Sequence, residues 1–399
     1  MADALITLDN LIGDTSHIIC EKSSFTKNGL KIAVWIYYNP NVVQRAPIIV
    51  IHGGPAFTHN YLLPLKLLAE FGYPVVFYDQ AGCGDSTFVK DPENDAPWLL
   101  TIEYYVEELS ALIHTFQLYE YYLYASSWGT VVAQEFAVSI SSSTDAMLRG
   151  LQGLILDGAL CDGETYIQTQ WRDRIATLPM FTQNLLKKLL NDKAFDSPLY
   201  REIDNILTSH FTIRCVPRPD CFLNCLRKMN NAVYREIQGP SEFALSGVLE
   251  KWSITDRLWK IKVPTLVMRG EFDTMTEECS QLIVDHISTA WPLVCIPRAG
   301  HCKTIDEPHE CIREITRFLN NVEGVRNRYK VSEALVSKRS GSFDGSMSPC
   351  KIFKRIKAIM PPEEDVDESL PSVVILPQAV LPDIVIADDS RNGEGEMET

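Results

Sequence analysis

The sequence predicts an α/β protein with a mostly parallel, twisted sheet and helices on both of its faces. The first observation is a series of short, continuously apolar runs, at residues 47–51, 75–78, 121–124 and 154–156. Such runs are typical of parallel strands that are covered on both faces. The second observation is helical spacing of apolar residues between them, over 61–71 and 102–116. Strand-helix alternation of this kind indicates crossover connections in a single sheet.

The remaining elements follow in chain order. Residues near Ile18 and over 29–38 predict an antiparallel pair before the parallel strands. Residues 162–250 contain no convincing buried strand and are rich in helix formers, which predicts a helical insertion. The strand pattern returns at 264–268 and 293–296, and a final helix is expected over 308–319. We therefore expect four parts, namely a first core part (1–160), a helical lid (161–250), a second core part (251–324) and a disordered tail (325–399).

The tail is predicted from its segregated charge. Residues 325–360 carry nine Lys or Arg and two Asp or Glu, whereas residues 361–399 carry one and eleven. Five prolines follow position 360, and segregated charge with few aromatic residues is typical of disorder. Apolar runs at 373–376 and 384–386 leave open that the tail binds an unidentified protein partner.

Composition excludes several classes of function. The net charge of −15 argues against binding to nucleic acid, which normally requires a basic surface. Residues 1–10 lack the pattern of a secretory signal, and no apolar run approaches the roughly 20 residues that span a bilayer. Eleven scattered cysteines favour reduced thiols and a cytoplasmic location. Three of them (Cys215, Cys221 and Cys225) lack the second ligand pair of a zinc site, so we expect no metal.

Ser127 is the candidate nucleophile. An apolar run over 121–125 leads into this serine, and a helix-compatible segment, 130–138, follows it. Ala125 and Gly129 flank it two positions away on each side, which fits the tight strand-turn-helix of a nucleophile elbow. Small residues are needed at these positions because the turn brings backbone against backbone.

A serine hydroxyl needs a base and a group that orients the base. Asp273 follows the strand predicted over 264–268, and His301 follows the strand predicted over 293–296. The order serine, acid, histidine is that of the elbow type. The carboxyl ends of parallel strands meet at one edge, so these side chains are expected to converge there. A helix cap for Asp273 and a structural role for His301 are the plain alternatives.

The segment His52-Gly53-Gly54-Pro55 directly follows an apolar strand. Its glycines allow backbone N–H groups to approach a developing oxyanion, and we predict an oxyanion hole from the N–H groups of Gly54 and Trp128. A tight turn that needs positive φ is the structural interpretation of the same glycines. The segment from Tyr78 to Gly84 is interpreted as a turn that supports the site.

These motifs together resemble the proline iminopeptidase (prolyl aminopeptidase) branch of the α/β-hydrolases. Two segments of the insertion, Gly239-Pro240-Ser241-Glu242-Phe243 and Trp252-Ser253-Ile254-Thr255-Asp256, resemble its tricorn-interacting-factor-like members. The resemblance covers about residues 17–322. It implies that Glu242 binds the free α-amine of a peptide substrate. Thr274 departs from the pattern, since relatives often have a glutamate directly after the aspartate.

We therefore expect a serine hydrolase that needs no cofactor and no metal. The resemblance implies an aminopeptidase that releases an N-terminal proline or small residue from short peptides or amino-acid amides through an acyl-enzyme. Because Thr274 removes one amine-binding carboxylate, an esterase or amidase that acts on a small metabolite stays open. A non-catalytic binding protein with this fold is the alternative of a different class.

Overall fold

A computed structural model describes the backbone of residues 6–340 and the side chains of residues 6–326. Within that part of the chain, eight strands form one sheet in the order β1-β2-β4-β3-β5-β6-β7-β8. The first two strands are antiparallel to their neighbours, and the others pair in parallel. The strands are β1 (Ile19–Lys27), β2 (Leu30–Tyr38), β3 (Ile48–Ile51), β4 (Val75–Tyr78), β5 (Tyr121–Ser126), β6 (Leu151–Asp157), β7 (Thr265–Gly270) and β8 (Val294–Ile296).

Helices connect these strands and fill the segment between β6 and β7. The α-helices are Leu8–Ile12, Pro92–Asp95, Ile102–Thr115, Trp128–Ser139, Gly163–Asp173, Met180–Asn191, Pro198–Leu207, Asp220–Lys228, Asn231–Ile237, Glu277–His286, Lys303–Asp306 and Pro308–Ser340. The 3₁₀ helices are His59–Phe71, Pro97–Leu100, Ile140–Ser142, Leu148–Gly150, Ile175–Thr177, Gly247–Lys251 and Thr255–Lys260, and a π-helical turn covers Thr208–Thr212. None of the helices in the described part combines the length and apolar character that a bilayer crossing demands.

Alternate residues of each central strand pack into different cores. In β3, Ile49 and Ile51 belong to one hydrophobic cluster, and Ile48 and Val50 belong to the other. Successive side chains of a strand point to opposite faces, so an uninterrupted apolar run is required when both faces are covered. This packing explains the uninterrupted apolar sequences of β3 and β4, and the parallel pairing of β3 to β8 confirms the predicted sheet.

The segment between β6 and β7 is helical, as the sequence predicts. It has a small apolar cluster of its own, to which Ile203, Phe211 and Phe243 contribute. Its helix Pro198–Leu207 begins after Ser197, whose hydroxyl accepts a hydrogen bond from the N–H of Tyr200. Helix capping together with this cluster stabilises the segment beside the carboxyl edge of the sheet.

The last helix extends further than the sequence analysis predicts. It was expected over 308–319, with a disordered tail from 325, but it runs from Pro308 to Ser340. The physical reason is that residues 320–340 contain no proline and include nine good helix formers (Ala, Leu, Glu, Lys or Arg), which charge segregation alone does not reveal. The rest of the predicted tail, 341–399, lies outside the described residues.

Candidate active site

Ser127 occupies a strained turn between β5 and the helix Trp128–Ser139. Its φ is +54° and its ψ is −125°, a conformation that non-glycine residues rarely adopt. Its N–H donates to the carbonyl oxygen of Asp157, at the end of the neighbouring strand, at 2.9 Å. Such strain persists only where the surrounding structure determines it, and it is common at active sites.

The small neighbours of Ser127 are required by close contacts. A Cβ on Gly129 would lie 2.3 Å from the carbonyl oxygen of Ile51 in the adjacent strand. A Cβ on Gly53 would lie 2.8 Å from the Cβ of Ser127. Both distances are too short for real carbon atoms, so the serine turn is packed directly against the loop after β3.

Asp273 and His301 are in direct contact. Nδ1 of His301 lies 2.6 Å from Oδ1 of Asp273, which also accepts the N–H of Met275 at 3.0 Å. Nε2 of His301 is buried and has no hydrogen-bond partner among the side chains and backbone of residues 6–326. His301 and Ser127 line the same cavity. The structure thus brings the three predicted residues together at the carboxyl edge of the sheet.

Fixed charges shape the protonation of this pair. Burial alone would raise the pKa of Asp273, but the Lys303 ammonium and the imidazole of His301 more than offset it and hold this pKa well below its usual range. Burial opposes a charge on His301, yet the neighbouring Asp273 carboxylate exceeds that effect and raises the pKa of the imidazole. Asp273 is therefore an ionised acceptor, and it fixes the proton of a neutral His301 on Nδ1.

The loop after β3 is held by a buried histidine and a glutamine. Nε2 of His52 accepts the N–H of Gln80 at 2.9 Å, and Nδ1 lies 2.9 Å from the carbonyl oxygen of Gly53. Burial lowers the pKa of His52 to about 4, so the ring is neutral at pH 7 and carries its proton on Nδ1. The side-chain oxygen Oε1 of Gln80 accepts a hydrogen bond from the indole N–H of Trp128 at 2.9 Å. The turn after β4 thus has the supporting role that the sequence analysis predicts.

Gly54 and Trp128 both lie beside Ser127. Gly54 lines the cavity and has a φ of +114°, so its conformation also requires glycine. Trp128 is the first residue of the helix that follows the serine, where backbone N–H groups have no partner within the helix. Neither backbone N–H donates to another protein group within residues 6–326.

Glu242 lies on the cavity wall and is held from both the insertion and the core. Its Oε1 accepts from the hydroxyl of Tyr166 at 2.6 Å and from the hydroxyl of Thr274 at 3.0 Å. Its Oε2 has no hydrogen-bond partner within the described side chains. Thr274, the departure from the family pattern, thus orients the glutamate that remains.

The cavity has a volume of about 290 Å³, at the small end of the range for small-molecule sites. Part of its wall is aromatic, and the ring of Phe57 stacks on Tyr234 at 5.8 Å and meets Tyr61 edge-on at 6.2 Å. Asp204 also lines it, and Oδ1 of Asp204 is buried without a hydrogen-bond partner in the described residues. Burial raises the pKa of Asp204.

Sequence reasoning missed three charged residues of this region: Lys303, Asp157 and Asp204. Lys303 is fully buried and lies 2.9 Å from Asp273 and 2.8 Å from Asp157. The available signal was the acidic residue that ends the apolar run 154–156 and the lysine two positions after His301. Asp204 gave no signal, because it lies on a helix whose polar residues fit a solvent-exposed face. Within residues 6–326, no group of three or more His, Cys, Asp or Glu is arranged to hold a metal ion.

A strained serine turn at the carboxyl edge of a mostly parallel sheet is typical of α/β-hydrolases. Comparison with known protein families gives the same class. The model of the alpha/beta hydrolase family matches residues 48–314, so the chain belongs to that family and is a hydrolase.

Within that class, the chain belongs to the proline iminopeptidase family. It is similar to the proline iminopeptidase of Thermoplasma volcanium, with 32% identity over 290 residues that cover 72% of this chain and 93% of the relative. The proline iminopeptidase of Saccharolobus solfataricus is 29% identical over 72% of this chain and 89% of its own. The crystal structure of the Mycobacterium smegmatis proline iminopeptidase superposes with a TM-score of 0.69 at 28% identity, over 77% of this chain and all of the other.

Proposed function

We propose that this chain is a serine aminopeptidase that releases an N-terminal proline or small residue from short peptides or amino-acid amides. The observation that carries the proposal is the contact of 2.6 Å between His301 and Asp273, with Nε2 of His301 unpartnered in the cavity that Ser127 lines. A neutral imidazole with its proton fixed on Nδ1 is the base that a serine nucleophile requires.

Catalysis follows from these positions. Nε2 of His301 takes the hydroxyl proton as Oγ of Ser127 attacks the substrate carbonyl carbon, and the carbonyl oxygen becomes an oxyanion. The N–H groups of Gly54 and Trp128 stabilise that charge. When the tetrahedral intermediate collapses, the C–N bond breaks and His301 gives its proton to the leaving amine. A water molecule, activated by the same imidazole, then cleaves the acyl-enzyme.

Glu242 selects substrates with a free amine. Its Oε1 is occupied by Tyr166 and Thr274, which leaves Oε2 for the substrate ammonium. Asp204 lines the same cavity, and its buried Oδ1 is an unpartnered acceptor that could receive an N–H of the substrate ammonium. A substrate with a blocked amine would leave the partly buried Glu242 carboxylate without an ammonium partner, which would weaken its binding.

The aromatic part of the wall suits an apolar first residue. Phe57, Tyr61 and Tyr234 offer ring faces and edges to a pyrrolidine or a small alkyl side chain. The cavity volume of about 290 Å³ favours short substrates.

The organisation of the chain and its location belong to the same proposal. Residues 161–250 act as a lid that delivers Glu242 to a core formed by 1–160 and 251–324. The ten cysteines in the described part are free thiols, which supports a reducing, cytoplasmic location.

Two experiments test the proposal. A fluorophosphonate probe should label the folded protein, and Ser127→Ala should abolish the labelling. If the folded wild-type protein is not labelled, catalysis by a serine nucleophile is excluded. Rates should then be compared for prolyl and alanyl amides, N-blocked prolyl amides and simple esters. A clear preference for free amines supports the aminopeptidase. Equal rates for free and blocked substrates would favour an esterase or amidase.

A further inference from the structure

Lys303 is a buried cation in direct contact with the candidate catalytic residues. It lies two positions after His301 and is 0% exposed. Its Nζ forms ion pairs with Oδ2 of Asp273 at 2.9 Å and with Oδ1 of Asp157 at 2.8 Å. It also donates to the carbonyl oxygen of His301 at 3.0 Å. Fully buried lysines are rare unless their charge is paired, and the two carboxylates provide that pairing for Lys303.

The two oxygens of Asp273 are divided between the base and this cation. Oδ1 contacts His301, whereas Oδ2 contacts Lys303 and accepts the N–H of Gly270 at 3.0 Å. On the far side of the lysine, Asp157 accepts a hydrogen bond from the hydroxyl of Tyr124. Imidazole, carboxylate, ammonium and carboxylate therefore form one buried row of alternating groups.

We propose that Lys303 is a positioning residue that holds Asp273 against His301 and keeps the proton affinity of His301 lower than Asp273 alone would set it. The inference rests on the proposed function of Ser127, Asp273 and His301. The negative charge on Asp273 stabilises the imidazolium, and a fixed positive charge on the other oxygen of the same carboxylate weakens that effect. The base then stays neutral, and competent, at a lower pH.

The charges around the imidazole support the proposed direction, in which Lys303 lowers the proton affinity of His301. Asp273 and Glu242 raise the pKa of His301, whereas burial and Lys303 lower it. Lys303 itself faces Asp157 from β6, Asp273 after β7, Cys302, and Cys311 from the last helix. Burial opposes its charge, but the two carboxylates more than offset burial and raise its pKa, so Lys303 is charged throughout the working pH range.

The test uses variants that are expected to shift the pKa of the His301 imidazole in opposite directions. Lys303→Met together with Asp157→Asn removes the cation without leaving an unpaired buried carboxylate. We expect the pKa of His301, followed by NMR, and the acidic limb of kcat/KM to rise by about one pH unit. Asp157→Asn alone leaves Lys303 with Asp273 as its sole carboxylate partner, so both quantities should fall. Lys251→Met removes an exposed lysine charge and should move neither.

A purely structural role predicts altered stability with an unshifted titration. The inference would be overturned by folded variants in which the pKa of His301 stays at the wild-type value, or moves in the same direction in both. If the double variant does not fold, the Asp157→Asn titration decides alone. The NMR titration needs no turnover, so an inactive wild-type protein would remove the proposed function and would still leave the charge effect measurable.

Discussion

Replacing Glu242 by glutamine tests its proposed amine-binding role, and it should separate substrate selection from bond cleavage. Oε1 of Glu242 holds the hydroxyls of Tyr166 and Thr274 at 2.6 and 3.0 Å, and a glutamine oxygen can keep both contacts. The amide NH₂ then occupies the place of Oε2 and presents a donor to the substrate ammonium. The variant should therefore fold normally and lose the attraction for a charged amine.

The expected loss follows from the nature of the missing contact. A hydrogen bond to a charged group contributes about 1.5–3 kcal/mol, which corresponds to a roughly 10- to 150-fold lower kcat/KM for prolyl amides. The loss should fall mainly on KM, because the ammonium is bound equally in the ground and transition states. A neutral ester has no ammonium, so its kinetics should change less than about twofold.

The assay compares a prolyl amide and a neutral ester in the wild type and in two variants. Glu250→Gln is the matched control, since it removes an exposed glutamate charge from the same helical insertion. The reasoning fails if Glu242→Gln leaves the prolyl amide unaffected. It also fails if both substrates slow equally, because that would indicate a structural or general electrostatic role.

Three further predictions concern the same site. Thr274→Val removes the hydroxyl that lies 3.0 Å from Glu242, and it should lower kcat/KM for free-amine substrates by roughly fivefold, or about 1 kcal/mol, while ester turnover stays constant; a parallel loss on esters would contradict it. Gly129→Ala places a Cβ 2.3 Å from the carbonyl oxygen of Ile51, so the free energy of unfolding should fall by about 1–3 kcal/mol or more in denaturant titrations, and an unchanged midpoint would refute the packing argument. The wild-type kcat/KM should fall as the pH decreases through the raised pKa of His301, so the midpoint of the acidic limb should lie above 6.5, the ordinary pKa of histidine. A midpoint below 6.5 would show that Asp273 does not outweigh burial in setting the pKa of His301.

The sheet and the serine, aspartate and histidine could be predicted because their signals are local. A strand buried on both faces favours apolar residues, so β3, β4 and the interiors of β5 (121–125) and β6 (154–156) stand out as apolar runs. The small residue at 129 is required because a Cβ there would lie 2.3 Å from the carbonyl oxygen of Ile51 and 2.9 Å from that of His52. Asp273 and His301 each lie five positions after an apolar run ends, and the edge of a parallel sheet is where such residues converge.

The charged row behind the triad could not be predicted in the same way. Asp157 and Lys303 are 146 residues apart in sequence, and each could equally lie at a solvated strand end. Their pairing depends on side-chain packing across β6, β7 and the segment after β8, which no single stretch of sequence records. The last helix is longer than predicted for a different reason, because charge segregation does not report helix propensity and no proline interrupts residues 320–340.

The position of Glu242 has a consequence for how this chain can change over evolutionary time. In the proposed mechanism, the carboxylate that would bind the substrate amine is supplied by the helical insertion, whereas Ser127, Asp273 and His301 are supplied by the sheet edge. Thr274 spans the boundary, since it adjoins Asp273 and contacts Glu242 at 3.0 Å. Substitutions in the insertion can therefore exchange one set of accepted molecules for another and leave the machinery that breaks the bond intact.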